Sequence, residues 1–262
     1  MRTWRQINAK RRAHINREQR AWATVLRKIR QQQRDLFQTG DFNSRIPESR
    51  ITEMVSDAMQ DTYERVGVDF AEAEVKHLKR EKMMRKDLGQ QWRQHMREFA
   101  RDRAGAKIGS VTRSIAQDIE KITRIVMAEA ADEGWGAARI AEEIEIRQGQ
   151  IDRWRAIRIA RTEAVGASNE GSHVGAKGTG MKLAKVWLAT PHGDSREGHL
   201  DLNGTKIPMD DKFEVHSDDG DLDMMDYPHD PGASAANVIN CRCGTAYEPI
   251  DSLIDELLNE GR

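Results

Sequence analysis

The sequence predicts an α+β protein. An extended, mostly helical N-terminal region should lead into a small α+β domain with a few short strands. Three observations carry this. Apolar residues recur at helical spacing through most of the first 155 of the 262 residues. The chain is 38% hydrophobic, 32% charged and 5% aromatic, which is lean for one globule and suits long solvated helices attached to a smaller core. Near Gly171 the texture changes to stretches punctuated by Gly and Pro, with short alternating runs between them.

Taken in order, the first forty residues read as one basic helix closed by Gly40. Trp4, Ile7, His14, Trp22, Val25, Leu26 and Ile29 give it a patchy apolar stripe. Pro47-Glu48 reads as the next helix start, with Ile51, Met54, Val55, Ala58, Met59, Thr62 and Val66 on one face. Phe70 to Arg103 predicts a further long helix, in which Leu88, Trp92, Met96 and Phe99 step by four, four and three. Val111, Ile115, Ile119, Ile122 and Val126 form the cleanest stripe, and Gly134 is a C-cap candidate behind it. A short helix from Ala137 to Ile146 is expected, then an interruption at Gly149, then a helix from Ile151 to about Glu170. These stripes are core packing in the simplest account, and helices this polar are expected to need a partner to bury them fully. "GSHVGAKGTG" from Gly171 reads as a loop or frayed end. Lys182 to Ala189, Lys212 to Val215 and Val238 to Tyr247 predict strands; in the last, Ile239, Cys241, Cys243, Thr245 and Tyr247 would share a face. A short helix is expected over Ile250 to Leu258. The segments are therefore 1–44, a basic N-terminal helical segment; 45–155, a helical region; 156–250, the small domain; and 251–262, a short helix or tail.

Charge is uneven. The whole chain carries −1, but its first forty residues hold eleven Lys/Arg against Glu18 and Asp35, a net +9. Lys10, Arg11, Arg12, Arg17 and Arg20 are the candidate contacts to nucleic acid, because clustered cations gain free energy by releasing counterions. The alternative is a solvated helix face. No stretch approaches the ~20 apolar residues a membrane span needs, and no secretory signal is visible. An intracellular protein with no membrane partner is expected. Two cysteines are too few for a disulfide framework.

Those cysteines, Cys241 and Cys243, are one residue apart, and a disulfide between them would close a strained ring. On a strand both sulfurs would face one way and could reach one soft ion such as zinc, which needs four ligands. His199 is the first further candidate, then His229, His192 and Asp194. The alternative is two small buried thiols. The loop Asp218 to Asp226 has the alternation of a calcium site but places Met224 where such a loop needs Gly. No nucleophile motif is visible, so a structural rather than catalytic protein is expected; a metal-dependent hydrolase centred on His199, Asp194 and the cysteines is the lesser alternative.

"RIARTEAVGASNEG" (Arg158 to Gly171), "VWLAT", "DSREGHLDLNGTKI" and "YPHDPGASAANVINCRC" occur in that order. Together they resemble the C-terminal domain of phage Mu F-like minor head proteins, the phage head morphogenesis family. The residues carrying the resemblance are Arg161, Thr162, Glu163, Asn169, Trp187, Arg196, Asn240 and Arg242, with the two cysteines. It implies a structural role in head morphogenesis at the portal or capsid interior of a tailed phage or prophage. Portal or major capsid protein, and phage DNA, would be the partners. The protein would be made in the host cytoplasm and reside in the virion head. Many relatives carry Cys-x-x-Cys before the Asp-Gly turn as well as Cys-x-Cys at the end, a pattern that resembles a zinc knuckle. Here Arg196 and His199 stand at the first pair, so the implied structural zinc keeps three ligand-type residues.

Overall fold

Long amphipathic runs become long helices. The computed structural model describes residues 2–37, 40–79, 86–102, 105–191, 195–218 and 220–250. Its elements are α1 (Trp4–Phe37), α2 (Glu48–Lys79), α3 (Lys86–Asp102), α4 (Gly105–Glu133), α5 (Ala137–Lys177), β1 (Leu183–Leu188), α6 (Glu197–Asp201), β2 (Lys206–Pro208), β3 (Phe213–His216), β4 (Leu222–Met225), α7 (Ala235–Val238) and β5 (Gly244–Pro249). This is the α+β architecture expected. The chain divides into two compact units. One comprises Met1–Ile15, Thr62–Glu98 and Thr162–Arg262; the other comprises Asn16–Asp61 and Phe99–Arg161. They are called here the strand-bearing unit and the helical unit. No helix among the described residues is long and apolar enough to cross a membrane. The helix expected near the C-terminus lies outside the described residues.

In the helical unit the stripe of α4 is buried without any partner chain. Ile122, Val126 and Ala130 pack with Phe37, Phe42, Ile140 and Ile144, and Trp135 packs against that cluster. Helix α4 stops where expected: Gly134 takes φ +68°, and the Trp135 N–H reaches back to the Ala130 carbonyl at 3.0 Å. The expected interruption at Gly149 does not occur. Helix α5 runs unbroken for 41 residues. A glycine inside a helix costs only about 1 kcal/mol relative to Ala, and buried Ile140, Ile144, Ala156 and Ile159 hold the helix on both sides of it.

The strand-bearing unit corrects two more helix boundaries. Phe70 belongs to α2 rather than starting a new helix; buried Val66, Phe70, Ala71 and Val75 continue one stripe. "GSHVGAKGTG" is not a loop, since α5 continues to Lys177. Its glycines serve close approach instead of flexibility. A Cβ on Gly171 would lie 2.1 Å from the Gly67 carbonyl oxygen, and one on Gly175 would lie 2.5 Å from that of Ala71. Here α2 and α5 meet backbone to backbone.

Strand order is β2-β1-β5, both pairs antiparallel, with Trp187 opposite Thr245 and Lys185 opposite both Ile207 and Tyr247. As the central strand, β1 is buried along its whole length. Strands β3 and β4 form a separate hairpin with Val215 opposite Asp223. The expected strand from Val238 is corrected: α7 ends at Val238, and β5 begins only at Gly244. Asn240 has φ 60°, which breaks an extended backbone. The alternation expected of Ile239 with the cysteines fails accordingly: Ile239 is exposed while Cys241 and Cys243 are buried.

Candidate metal centre

Two segments bring the two thiols to one imidazole. Helix α6 presents His199, which is buried with the Trp187 ring edge-on at 5.4 Å. The turn between α7 and β5 presents Cys241 and Cys243. The three ligand atoms all lie within 4.8 Å of one another. His199 Nδ1 is 3.5 Å from Cys241 Sγ and 3.6 Å from Cys243 Sγ. Tetrahedral zinc with Zn–S near 2.3 Å and Zn–N near 2.0 Å sets an N···S edge of about 3.5 Å. The residues therefore fit zinc.

A side-chain relay fixes which imidazole nitrogen faces the sulfurs. The Asp223 carboxylate can only accept; it receives the Ser234 N–H at 3.0 Å, the Ser234 hydroxyl at 2.7 Å and Asn237 Nδ2 at 2.8 Å. Burial would raise the Asp223 pKa, but these hydrogen bonds outweigh it and hold the carboxyl below its ordinary value. With its amide nitrogen so engaged, Asn237 turns Oδ1 to His199 Nε2 at 3.1 Å. Nε2–H therefore donates to Asn237, and Nδ1 is the nitrogen left facing the sulfurs. The two thiols share a proton. Cys243 is lowered to about 5, first by the hydrogen bond from Cys241, then by His199; Cys241 is pushed up by the same bond and by burial. A thiolate beside an available imidazole nitrogen is the donor chemistry zinc takes.

The Cys-x-Cys backbone is held by side chains rather than by a neighbouring strand. The Cys241 carbonyl accepts from His229 Nε2 at 2.7 Å. The Arg242 carbonyl accepts from Trp4 Nε1 and Arg11 Nη1, both at 3.2 Å. The Cys243 carbonyl accepts from Arg11 Nη1 at 3.1 Å and Asn169 Nδ2 at 3.2 Å. Asn169 also donates to the Pro228 carbonyl at 2.7 Å, and the Asn240 N–H donates to Thr162 Oγ1 at 3.4 Å. Glu163 accepts from the Tyr63 hydroxyl at 3.1 Å.

Among the sequence-designated residues, His199, Cys241 and Cys243 thus converge. His229 does not join them as a ligand; its Nε2 is spent on a carbonyl. His192 and Asp194 lie outside the described residues. Arg196 donates to the Ile239 carbonyl at 2.9 Å. Thr162, Asn169 and Asn240 support the hook, Trp187 backs it, and Glu163 lies within the same unit. Arg161 belongs to the helical unit. The sequence did not mark out Asn237, Asp223 or Ser234. The loop weighed for calcium instead supplies β4 and the base of this relay.

The basic N-terminal helix divides. Arg11, expected at nucleic acid, is 1% exposed, and besides the two carbonyls it donates to Ser168 Oγ at 2.6 Å and to Asn169 Oδ1. Burial lowers its pKa to about 10. A guanidinium so enclosed cannot meet a phosphate, which corrects that expectation. Lys10 is 2.9 Å from an Asp69 carboxylate oxygen. Arg12, Arg17 and Arg20 are exposed. In the helical unit, Arg20, Arg27, Arg30 and Arg153 line an open cleft of about 570 Å³ between α1 and α5, in which Arg30 pairs with Asp152 at 2.5 Å.

Comparison with known proteins bears on this arrangement. A 130-residue segment is 34% identical to an NAD(+)–arginine ADP-ribosyltransferase of Enterococcus faecalis, covering 48% of this chain and 25% of that protein. A 96-residue segment is 32% identical to the uncharacterized protein YqbB of Bacillus subtilis, covering 36% of this chain and 30% of that protein. The chain thus spans less than a third of the length of either curated relative. No solved structure matches it. The family described as phage Mu protein F-like matches residues 114–246. This span holds most of α4, all of α5, the hairpin and the entire Cys-x-Cys hook, and on it the chain belongs to the phage Mu protein F-like family.

Proposed function

We propose that this chain is a structural component of a tailed-phage or prophage head that acts in head morphogenesis, at the portal or capsid interior. Its family membership is the observation that carries this reading. The architecture supports a building part: Arg11, Asn169 and His229 are spent on holding the Cys-x-Cys carbonyls. The ADP-ribosyltransferase name belongs to a relative of which this chain covers a quarter, and no catalytic role is assigned here. Zinc held by His199, Cys241 and Cys243 would staple α6 to the start of β5, supplying coordination bonds where the unit has only short strands.

A contact to portal or capsid protein is assigned to the helical unit. Trp154 is 73% exposed, and Ile146 and Ile151, within about 80° of it on the same helix, are exposed too. Exposed apolar residues of this size mark protein interfaces when they gather. Co-expression with the portal and major capsid proteins of the same phage tests this. Trp154→Asp should lower recovery of the bound head protein at least tenfold; unchanged recovery would place the contact elsewhere.

The cleft of Arg20, Arg27, Arg30 and Arg153 favours an additional contact with packaged DNA. Charge reversal at Arg20, Arg27 and Arg153 together should reduce the slope of log affinity against log salt by roughly 2 to 3, since each lost duplex contact removes about 0.9. An unchanged slope removes DNA from this reading.

A further inference from the structure

The recess beside the candidate metal centre contains a polar group that a closed structural site leaves unexplained. It holds about 20 Å³, room for one water-sized group, and Thr190, Ser195, Arg196, Asn240 and Arg242 line it together with His199 and the two cysteines. Thr190 is 3% exposed, and its Oγ1 finds no hydrogen-bond partner among the described residues. Leaving a buried hydroxyl unpaired costs on the order of 1–3 kcal/mol. The rest of Thr190 is engaged: its carbonyl accepts from Ser195 Oγ at 2.8 Å, and its N–H serves the Cys243 sulfur. Among the described residues, the hydroxyl alone of these three groups has no partner.

The ligand set has a matching gap. Protein-bound zinc takes four ligands, and sites with three protein ligands keep the fourth for a small molecule. Among the described residues, only His199, Cys241 and Cys243 form the group. Arg196, where the family resemblance implies a cysteine, is a cation that cannot ligate, and its guanidinium lies at the Ile239 carbonyl. Two arginines and Thr190 therefore line the recess beside the three ligand-type residues.

We propose that this chain's metal centre is a three-ligand site whose fourth position accepts a small exchangeable anion or water, and that the Thr190 hydroxyl hydrogen-bonds that ligand. The proposal rests on the metal reading given above and extends it: the staple is also a receptor for a small anion. The lining favours an anion over a neutral molecule because Arg196 and Arg242 border the recess and a bound zinc ion would offset the thiolate charge.

Cobalt(II) loading of the full chain, followed by azide titration, tests both levels. The visible d–d bands should shift saturably with azide. Thr190→Val should weaken azide binding about tenfold, read at full cobalt occupancy, and Thr190→Ser should restore it. His192→Ala and Asp194→Ala should leave the spectrum as in the parent chain. Tetrahedral bands that azide does not move, or loss of cobalt in either of those two variants, would show a fourth protein ligand and overturn the proposal. Failure to take up cobalt at all would overturn the metal reading itself, and this proposal with it.

Discussion

Buried titratable side chains set how the strand-bearing unit responds to pH. His173 is the clearest case. It is buried on α5 against the rings of Tyr227, at 5.0 Å, and Tyr247, at 6.1 Å, with Nδ1 3.3 Å from the Tyr247 hydroxyl. Burial lowers its pKa to about 3, and the nearby Lys177 and Lys185 push the same way, against Asp226. Between pH 6.5 and 3 the unfolded chain therefore binds a proton that the folded chain refuses. The stability from keeping His173 neutral is complete above about pH 6.5 and is lost as pH falls; at pH 5 the loss is about 2 kcal/mol. Denaturant unfolding at pH 7 and pH 5 should show this difference for the parent chain relative to His173→Phe. Equal pH dependence in the two would contradict it. Residue chemistry was only partly legible. Cys241 and Cys243 announce themselves by spacing, and His199 by its place in the motif. Asn237 and Asp223 do not, because such polar residues are common and only the fold carries Asn237 to the far nitrogen of His199 and Asp223 to Asn237.

At the scale of elements, periodicity was a good guide to which residues are helical and a poor guide to where helices stop. Gly149 and Gly171 read as breakers because an isolated helix would pay for them, but packing overrode that local preference. At Gly171 the absence of a side chain is what lets α5 reach α2. Gly171→Ala places a methyl 2.1 Å from the Gly67 oxygen. Backbone cannot yield as a side-chain tip does, so the variant should lose about 3 kcal/mol, at the upper end of overpacking costs. Gly136→Ala, which meets nothing within 4 Å, is the control and should stay within about 0.5 kcal/mol. Equal stability of the two variants in chemical denaturation would mean that the helices separate without cost. The Cys-x-Cys segment shows the opposite error. Its alternation suggested a strand, but Asn240 turns the chain, and the carbonyls find Arg11, Asn169 and His229 instead of a sheet neighbour. Those donors come from sequence positions 231, 74 and 12 residues away from their acceptors, a pairing that local pattern does not encode.

For the molecule as a whole, the α+β class and the family were legible because four ordered motifs survive in one stretch. The basic N-terminus was legible as charge but not as two different surfaces. Arg11 is consumed in the strand-bearing unit, while Arg20 and Arg27 face a cleft in the helical unit. The internally held Cys-x-Cys carbonyls, the exposed apolar residues of α5 and the family membership together support a head component. Mass spectrometry of purified particles from the phage or prophage encoding this chain tests that claim most directly. The chain should be present in mature heads, or in DNA-free proheads, in a reproducible ratio to the portal protein. Its absence from both, with heads assembling and packaging normally when its gene is deleted, would contradict the assignment.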